Sequence, residues 1–265
     1  MPQTSDKYQT DYYIEKKNDQ IPLVFIHGVG LNKQIWEPQI KYFKNKNILL
    51  YDLIGHGKTP LNKQKLNFDD FVKQLLNLIN ELDIKKIDLV GFSLGSLIAR
   101  HFAAEHNDRL NSLILHGSIY KRTKEQTRVV RNRFELIKTD RPVSKDRALR
   151  RWFTDIYIRE NKHIYDKIYK ILDNNNLSNF LKAYKLFVFY EDSDEILDRI
   201  NTNTLVCTGQ YDVGSTTEMA KNLSKKIKNS KYAMIRNGKH LCSIECAKDF
   251  NNCIEDFINL GSNNA

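Results

Sequence analysis

The chain has 265 residues, 41% of them apolar, with eleven glycines and a formal net charge of +10 at pH 7. That apolar share excludes an intrinsically disordered chain, and no apolar run approaches the roughly 18 residues of a transmembrane helix. The polar N-terminus, MPQTSDKYQTDYYIEKKND, lacks the apolar core of a signal peptide, so the expected location is cytoplasmic with no membrane partner.

In chain order, PLVFI (22–26), NILLYDL (47–53), KIDLVGF (86–92), SLILHG (112–117), TLVCTG (204–209) and YAMIR (232–236) read as strands. Most are continuously apolar, the pattern of strands buried on both faces. NFDDFVKQLLNLINEL reads as a helix with Asn67 as N-cap and Asp69 and Asp70 in the first turn. Its Phe68, Phe71, Leu75, Leu78 and Leu82 form one apolar stripe. A second helix starts at Ser93, and a last one is expected from about 242 to 259. Strands alternating with helices predict an α/β fold with a doubly wound, mainly parallel sheet.

The alternation stops between about 118 and 200, where only helical patterns occur. Val130, Phe134 and Ile137 make one stripe; Ala148, Leu149, Trp152 and Ile156 make another; LSNFLKAYKLFVFY suggests a further helix. Residues 118–200 are therefore expected to form an α-helical cap on a core of residues 1–117 and 201–265. Residues 118–152 hold twelve Lys or Arg against four Asp or Glu, most of the net charge. This stretch has no recognised nucleic-acid motif and no aromatic-rich stacking strand, so nucleic acid is not an expected partner.

Cys207, Cys242, Cys246 and Cys253 form no CxxC pair. The last three join Phe250 and Phe257 at helical spacing, which reads as a buried stripe of reduced thiols rather than a metal site.

Gly91-Phe92-Ser93-Leu94-Gly95 is G-x-S-x-G at a strand-to-helix junction. Such a sharp turn leaves no room for side chains at the flanking positions and presents the serine hydroxyl above the sheet edge. A serine hydroxyl is a weak nucleophile and needs a base. His240, in NGKHLCSIE between the last strand and the last helix, lies at the same strand edge. Asp212, in TGQYDVGS after TLVCTG, can orient that imidazole and stabilise its cation. The glycine-bearing FIHGVG loop (25–30) places the Val29 backbone N–H, with that of Leu94, as expected donors to an oxyanion. His27 is expected to support this loop, and His56, in DLIGHGKT, to have no part in the chemistry.

Together HGVG, DLIGHGKT, GFSLGS, the Asp212 turn and GKH resemble the α/β-hydrolase family over roughly residues 12–260. HGVGLNKQIWEPQ, RRWFTDIY, GSTTEMAKNL and GKHLCSIE look most like the 3-oxoadipate enol-lactonase and carboxylesterase group. The resemblance implies an α/β-hydrolase fold with a helical cap, no cofactor, and a Ser-Asp-His triad at Ser93, Asp212 and His240. Serine at the elbow separates the chain from the aspartate-dependent dehalogenases and epoxide hydrolases and from the cysteine-dependent dienelactone hydrolases. One departure is the absence of a proline after Asp212, where Thr216 and Thr217 stand.

The expected activity is hydrolysis of a small carboxylate-bearing ester or lactone through an acyl-enzyme on Ser93. Arg133 is the basic residue expected to face inward, and Trp152 either lines the pocket or packs the cap. The alternative enzyme reading is an esterase for an acyl chain on an acidic carrier protein, similar to the pimeloyl-carrier methyl esterase. A third reading is a non-catalytic binding module on the same scaffold.

Overall fold

The computed structural model describes residues 2–262. Seven strands form one sheet in the order β1-β3-β2-β4-β5-β6-β7. They are β1 (Tyr12–Glu15), β2 (Leu23–Ile26), β3 (Ile48–Tyr51), β4 (Ile87–Phe92), β5 (Leu110–His116), β6 (Thr204–Gly209) and β7 (Ser230–Ile235). All neighbouring pairs are parallel except β1 with β3. The six strands expected from sequence are present. β1 was not expected, because its half-buried edge position leaves no continuous apolar run.

The period-two geometry of a strand sorts its side chains onto two cores. In β2, Val24 and Ile26 join one cluster while Leu23 and Phe25 join the other. The first cluster is closed by α2 (Phe68–Glu81), α3 (Leu94–Glu105) and α10 (Thr217–Lys226). The second is closed by α1 (Glu37–Tyr42), α11 (Cys242–Glu245) and α12 (Ala247–Ser262). Asn67 caps α2 as expected: its side chain accepts from the Asp70 N–H while Asp70 returns a bond to the Asn67 N–H.

Between β5 and β6 the chain runs through α4 (Lys124–Thr139), α5 (Arg141–Trp152), α6 (Asp155–Glu160), α7 (Lys162–Asp173), α8 (Leu177–Val188) and α9 (Asp194–Asp198). α4 packs on α5 and α8, and α5 on α7. Val130 and Phe134 are buried, as the first stripe requires.

Two helical expectations need correction. The stripe running through Ile156 breaks, because Phe153 is extended and Thr154 starts a new helix by accepting from the Tyr157 N–H. Ile156 consequently faces solvent at 59% exposure. The last helix is also two, α11 and α12, divided at Cys246, so the cysteine stripe does not lie on one helix. Cys242 is fully buried, whereas Cys246 and Cys253 are partly buried against the same core. No helix among the described residues is long and apolar enough to cross a membrane.

Candidate active site

Ser93 occupies the junction of β4 and α3 with φ 54° and ψ −113°, a conformation that costs a non-glycine residue about 1–3 kcal/mol. Hydrogen bonds on both sides hold it there. Its N–H donates to the His116 carbonyl at 2.9 Å, and its carbonyl accepts from the Ser96 N–H at 3.0 Å and the Ser96 hydroxyl at 2.6 Å. The flanking glycines are sterically required: a Cβ on Gly91 would lie 2.4 Å from the Gly95 carbonyl oxygen, and one on Gly95 2.5 Å from that of Ile26. The glycine spacing in the sequence therefore reports a close backbone crossing, and Ser93 is placed on it.

His240 follows β7 and precedes α11. Its Nδ1 lies 2.6 Å from Asp212 Oδ2, so a neutral ring that donates from Nδ1 keeps an unprotonated Nε2. Asp212 follows β6, and its Oδ1 accepts from the N–H groups of Gly214 at 2.8 Å and Ser215 at 2.9 Å. The Thr208 hydroxyl lies 3.1 Å from Oδ2. Burial alone would push the Asp212 carboxyl up. The nearby His240 charge and the bonds from His240, Ser215 and Gly214 outweigh it, and the group sits below its usual range. Beyond the Asp212 turn, Thr216 caps α10 by accepting from the Met219 N–H.

Ser93, Asp212 and His240 line one cavity of about 620 Å³ that lies between the sheet edge and the helices following β5. Val29 lines it too, while Leu94 is fully buried as the first residue of α3. Among the described residues, neither the Val29 nor the Leu94 backbone N–H has a hydrogen-bond acceptor. Trp152 lines the cavity with its ring centroid 6.4 Å from that of His240. Phe92 packs between His240 and His116, with ring centroids 4.8 Å from each.

The other histidines on this edge face elsewhere. His27 Nδ1 donates to the Gly28 carbonyl at 2.8 Å and its Nε2 accepts from the Leu53 N–H at 3.0 Å, which stitches two loops together. His56 Nδ1 bonds the Ile54 carbonyl. Both rings are buried and held neutral, mainly by desolvation.

Arg133 lines the cavity, and with it Arg122, Arg151 and Tyr184, which sequence reasoning had not singled out. Their sequence signal was only the excess of arginine in 118–152; which guanidinium faces inward depends on how α4, α5 and α8 pack. Glu245 was also missed. It accepts from the Lys239 N–H at 2.8 Å and from the Thr154 N–H at 2.8 Å, joining the His240 loop to the start of α6. No group of three or more His, Cys, Asp or Glu among the described residues is arranged to hold a metal ion.

The chain is 29% identical over 255 residues to (E)-2-((N-methylformamido)methylene)succinate hydrolase of Acinetobacter baylyi, covering 94% of each chain. It is 24% identical over 253 residues to 3-oxoadipate enol-lactonase 2 of the same organism, covering 95% of this chain and 94% of the relative. The fold superposes on the crystal structure of the enol-lactonase from Burkholderia xenovorans with a TM-score of 0.88 at 22% identity, covering 97% of this chain and all of the other. These relatives support a hydrolase role. A family model described as the alpha/beta hydrolase fold matches residues 21–164, more than half of the sequence, and the chain belongs to that family.

Proposed function

We propose that the protein is a serine hydrolase that cleaves a carboxylic ester or lactone of a small, carboxylate-bearing acid. The observation that carries this reading is the Asp212–His240 hydrogen bond, which turns a basic Nε2 toward the cavity that Ser93 shares. Ser93 Oγ loses its proton to His240 Nε2 and bonds the substrate carbonyl carbon. The Val29 and Leu94 N–H groups receive the oxyanion, a contribution worth about 3 kcal/mol per donor in such sites. As the tetrahedral species collapses, the C–O bond to the leaving group breaks, and the imidazolium returns the proton to that oxygen. Water, deprotonated by the same imidazole, then releases the acid and regenerates Ser93. Residues 118–200 act as a cap that shapes the cavity and supplies Trp152 and Arg133 to the bound acid.

Both relatives matched over nearly the whole chain are named as hydrolytic enzymes, one for an N-methylformamido-substituted succinate and one for an enol-lactone, and the second supports the ester or lactone class. A fluorophosphonate probe tests it directly. A single adduct on Ser93 in folded protein, lost in Ser93→Ala together with p-nitrophenyl ester turnover, is expected. Turnover surviving in Ser93→Ala would remove the assignment.

A second reading, an acyl ester on an acidic carrier protein, is favoured by one observation. The outer face of α4 carries exposed Lys124, Arg128 and Arg131, continuous at Arg122 and Asn132 with the lining of the cavity. A carrier-linked ester would lose kcat/KM when Lys124, Arg128 and Arg131 are neutralised together, and a free small ester would not.

A further inference from the structure

Six basic residues line the cavity, against two acids, Glu125 and Asp212. Both acids are committed: Glu125 to Arg128, at 2.9 and 3.0 Å, and Asp212 to His240. Three of the six cations are satisfied within the protein or lie at the open rim. Arg141 donates to the carbonyls of Leu172, Asp173 and Asn175; Lys145 pairs with Asp173; and Arg147 is exposed.

Arg122, Arg133 and Arg151 remain. Arg122 is fixed by the carbonyls of Phe187 and Val188 and by the Phe187 ring, 4.5 Å from its guanidinium carbon. Arg151 donates to the Arg147 carbonyl on its own helix. Arg133, half-buried on α4, makes no hydrogen bond or ion pair among the described residues. Tyr184, buried on α8, completes the group.

The electrostatics agree with this arrangement. Desolvation above all, with repulsion from Arg133 contributing, lowers both Arg122 and Arg151 to about 10. Arg133 thus repels two neighbouring cations, and the two cavity-lining acids, Glu125 and Asp212, are already bonded to Arg128 and His240. One carboxylate brings a single charge and fills one guanidinium fork. Three guanidinium groups lining one cavity, with Arg133 unpaired, therefore suit two carboxylates better than one.

We infer that Arg122, Arg133, Arg151 and Tyr184 form a two-carboxylate recognition site, so that the acid released from Ser93 carries, besides the reacting carbonyl, two further carboxylates. This rests on the serine hydrolase reading for the reaction, but not for the binding. Arg133, the unpaired one of the three, is the specificity-determining residue.

The experiment is calorimetric titration of Ser93→Ala protein with succinate, glutarate and adipate, and with butyrate and hexanoate as single-carboxylate controls. Dicarboxylates are expected to bind at least tenfold more tightly than the monocarboxylates. Arg133→Gln in the same background should weaken them by about 30-fold, the worth of one charge-assisted bond, and Arg133→Lys should weaken them less. Equal binding of mono- and dicarboxylates, unchanged binding in Arg133→Gln protein of native melting temperature, or tighter binding of inorganic phosphate than of any dicarboxylate would each overturn the inference. Dicarboxylate binding that persists in a protein whose Ser93 takes no fluorophosphonate would sink the serine hydrolase reading and leave the arginine site standing.

Discussion

Asp212 Oδ2 and His240 Nδ1 meet at 2.6 Å across two loops that leave adjacent parallel strands, β6 and β7, at the same edge. The residues are 28 positions apart in sequence, and strand pairing brings them together. Asp212→Asn keeps the shape and the Oδ1 acceptor for Gly214 and Ser215 but removes the charge that favours the productive tautomer. Turnover of a p-nitrophenyl ester is expected to fall by about 10⁴-fold, with the fluorophosphonate labelling of Ser93 slowed in parallel and the melting temperature little changed. A loss below tenfold would show that the histidine is oriented by something other than Asp212.

Gly95 is a steric requirement of the elbow. A Cβ there would lie 2.5 Å from the Ile26 carbonyl oxygen and 2.7 Å from that of His27, and both are backbone atoms of the strand end and loop beside it. Gly95→Ala must therefore push α3 away from β2. The expected cost is about 1–3 kcal/mol of stability, read by denaturant titration, with loss of Ser93 labelling because the strained φ of 54° depends on the same crossing. An alanine variant that labels normally would mean that the elbow tolerates more space than this geometry allows.

These two predictions also mark what the sequence could disclose. The central strands are legible because strands covered on both faces are continuous apolar runs, and the places of Ser93, Asp212 and His240 at one sheet edge followed once those strands were placed. β1 was not legible, since YYIE is a half-buried antiparallel edge strand outside the alternation. The break at Phe153 was hidden because Glu245, which holds Thr154, is 91 residues away. The same limit applies to the arginines: composition gave their number, but only the packing of α4 against α5 and α8 selects Arg122, Arg133 and Arg151.

Lys33 sets a buried ionic knot. Its ammonium bonds Asp11, just before β1, and Asp52 Oδ2 at 2.8 Å, just after β3, and all three side chains are almost fully enclosed. Asp52 also accepts from the Lys33 and Lys58 N–H groups, which shapes the loop beside His56. Lys33→Ala leaves two carboxylates facing each other without a cation, and a loss of about 3–5 kcal/mol is expected in urea unfolding. Lys41→Ala is the contrast, because Lys41 pairs with Glu37 at 73% and 46% side-chain exposure and should cost less than about 1 kcal/mol. Similar losses for the two variants would contradict the burial argument.

Four histidines outside the proposed chemistry give the protein an acid sensitivity of definite sign. Desolvation lowers His27, His56, His101 and His116, the last three to about 4, 4 and 3. Neighbouring cationic or imidazole groups add to this, His56 beside His27, Arg100 beside His101 and His240 beside His116. Because the folded-state values are depressed, the unfolded chain takes up these protons first, near pH 6.5. Stability is therefore complete above about pH 6.5 and is lost as the pH falls toward the folded-state values. Each such group contributes a slope of up to about 1.4 kcal/mol per pH unit, so four give roughly 5 kcal/mol per unit near pH 5. His101 stacks on Phe68 with centroids 4.6 Å apart and planes 7° from parallel. His101→Phe keeps that stack, removes one titrating ring and should flatten the measured slope by about one proton. Urea unfolding across pH 4.5–6.5 reads the slope; a flat profile in the native sequence would mean that these rings are already charged in the folded protein.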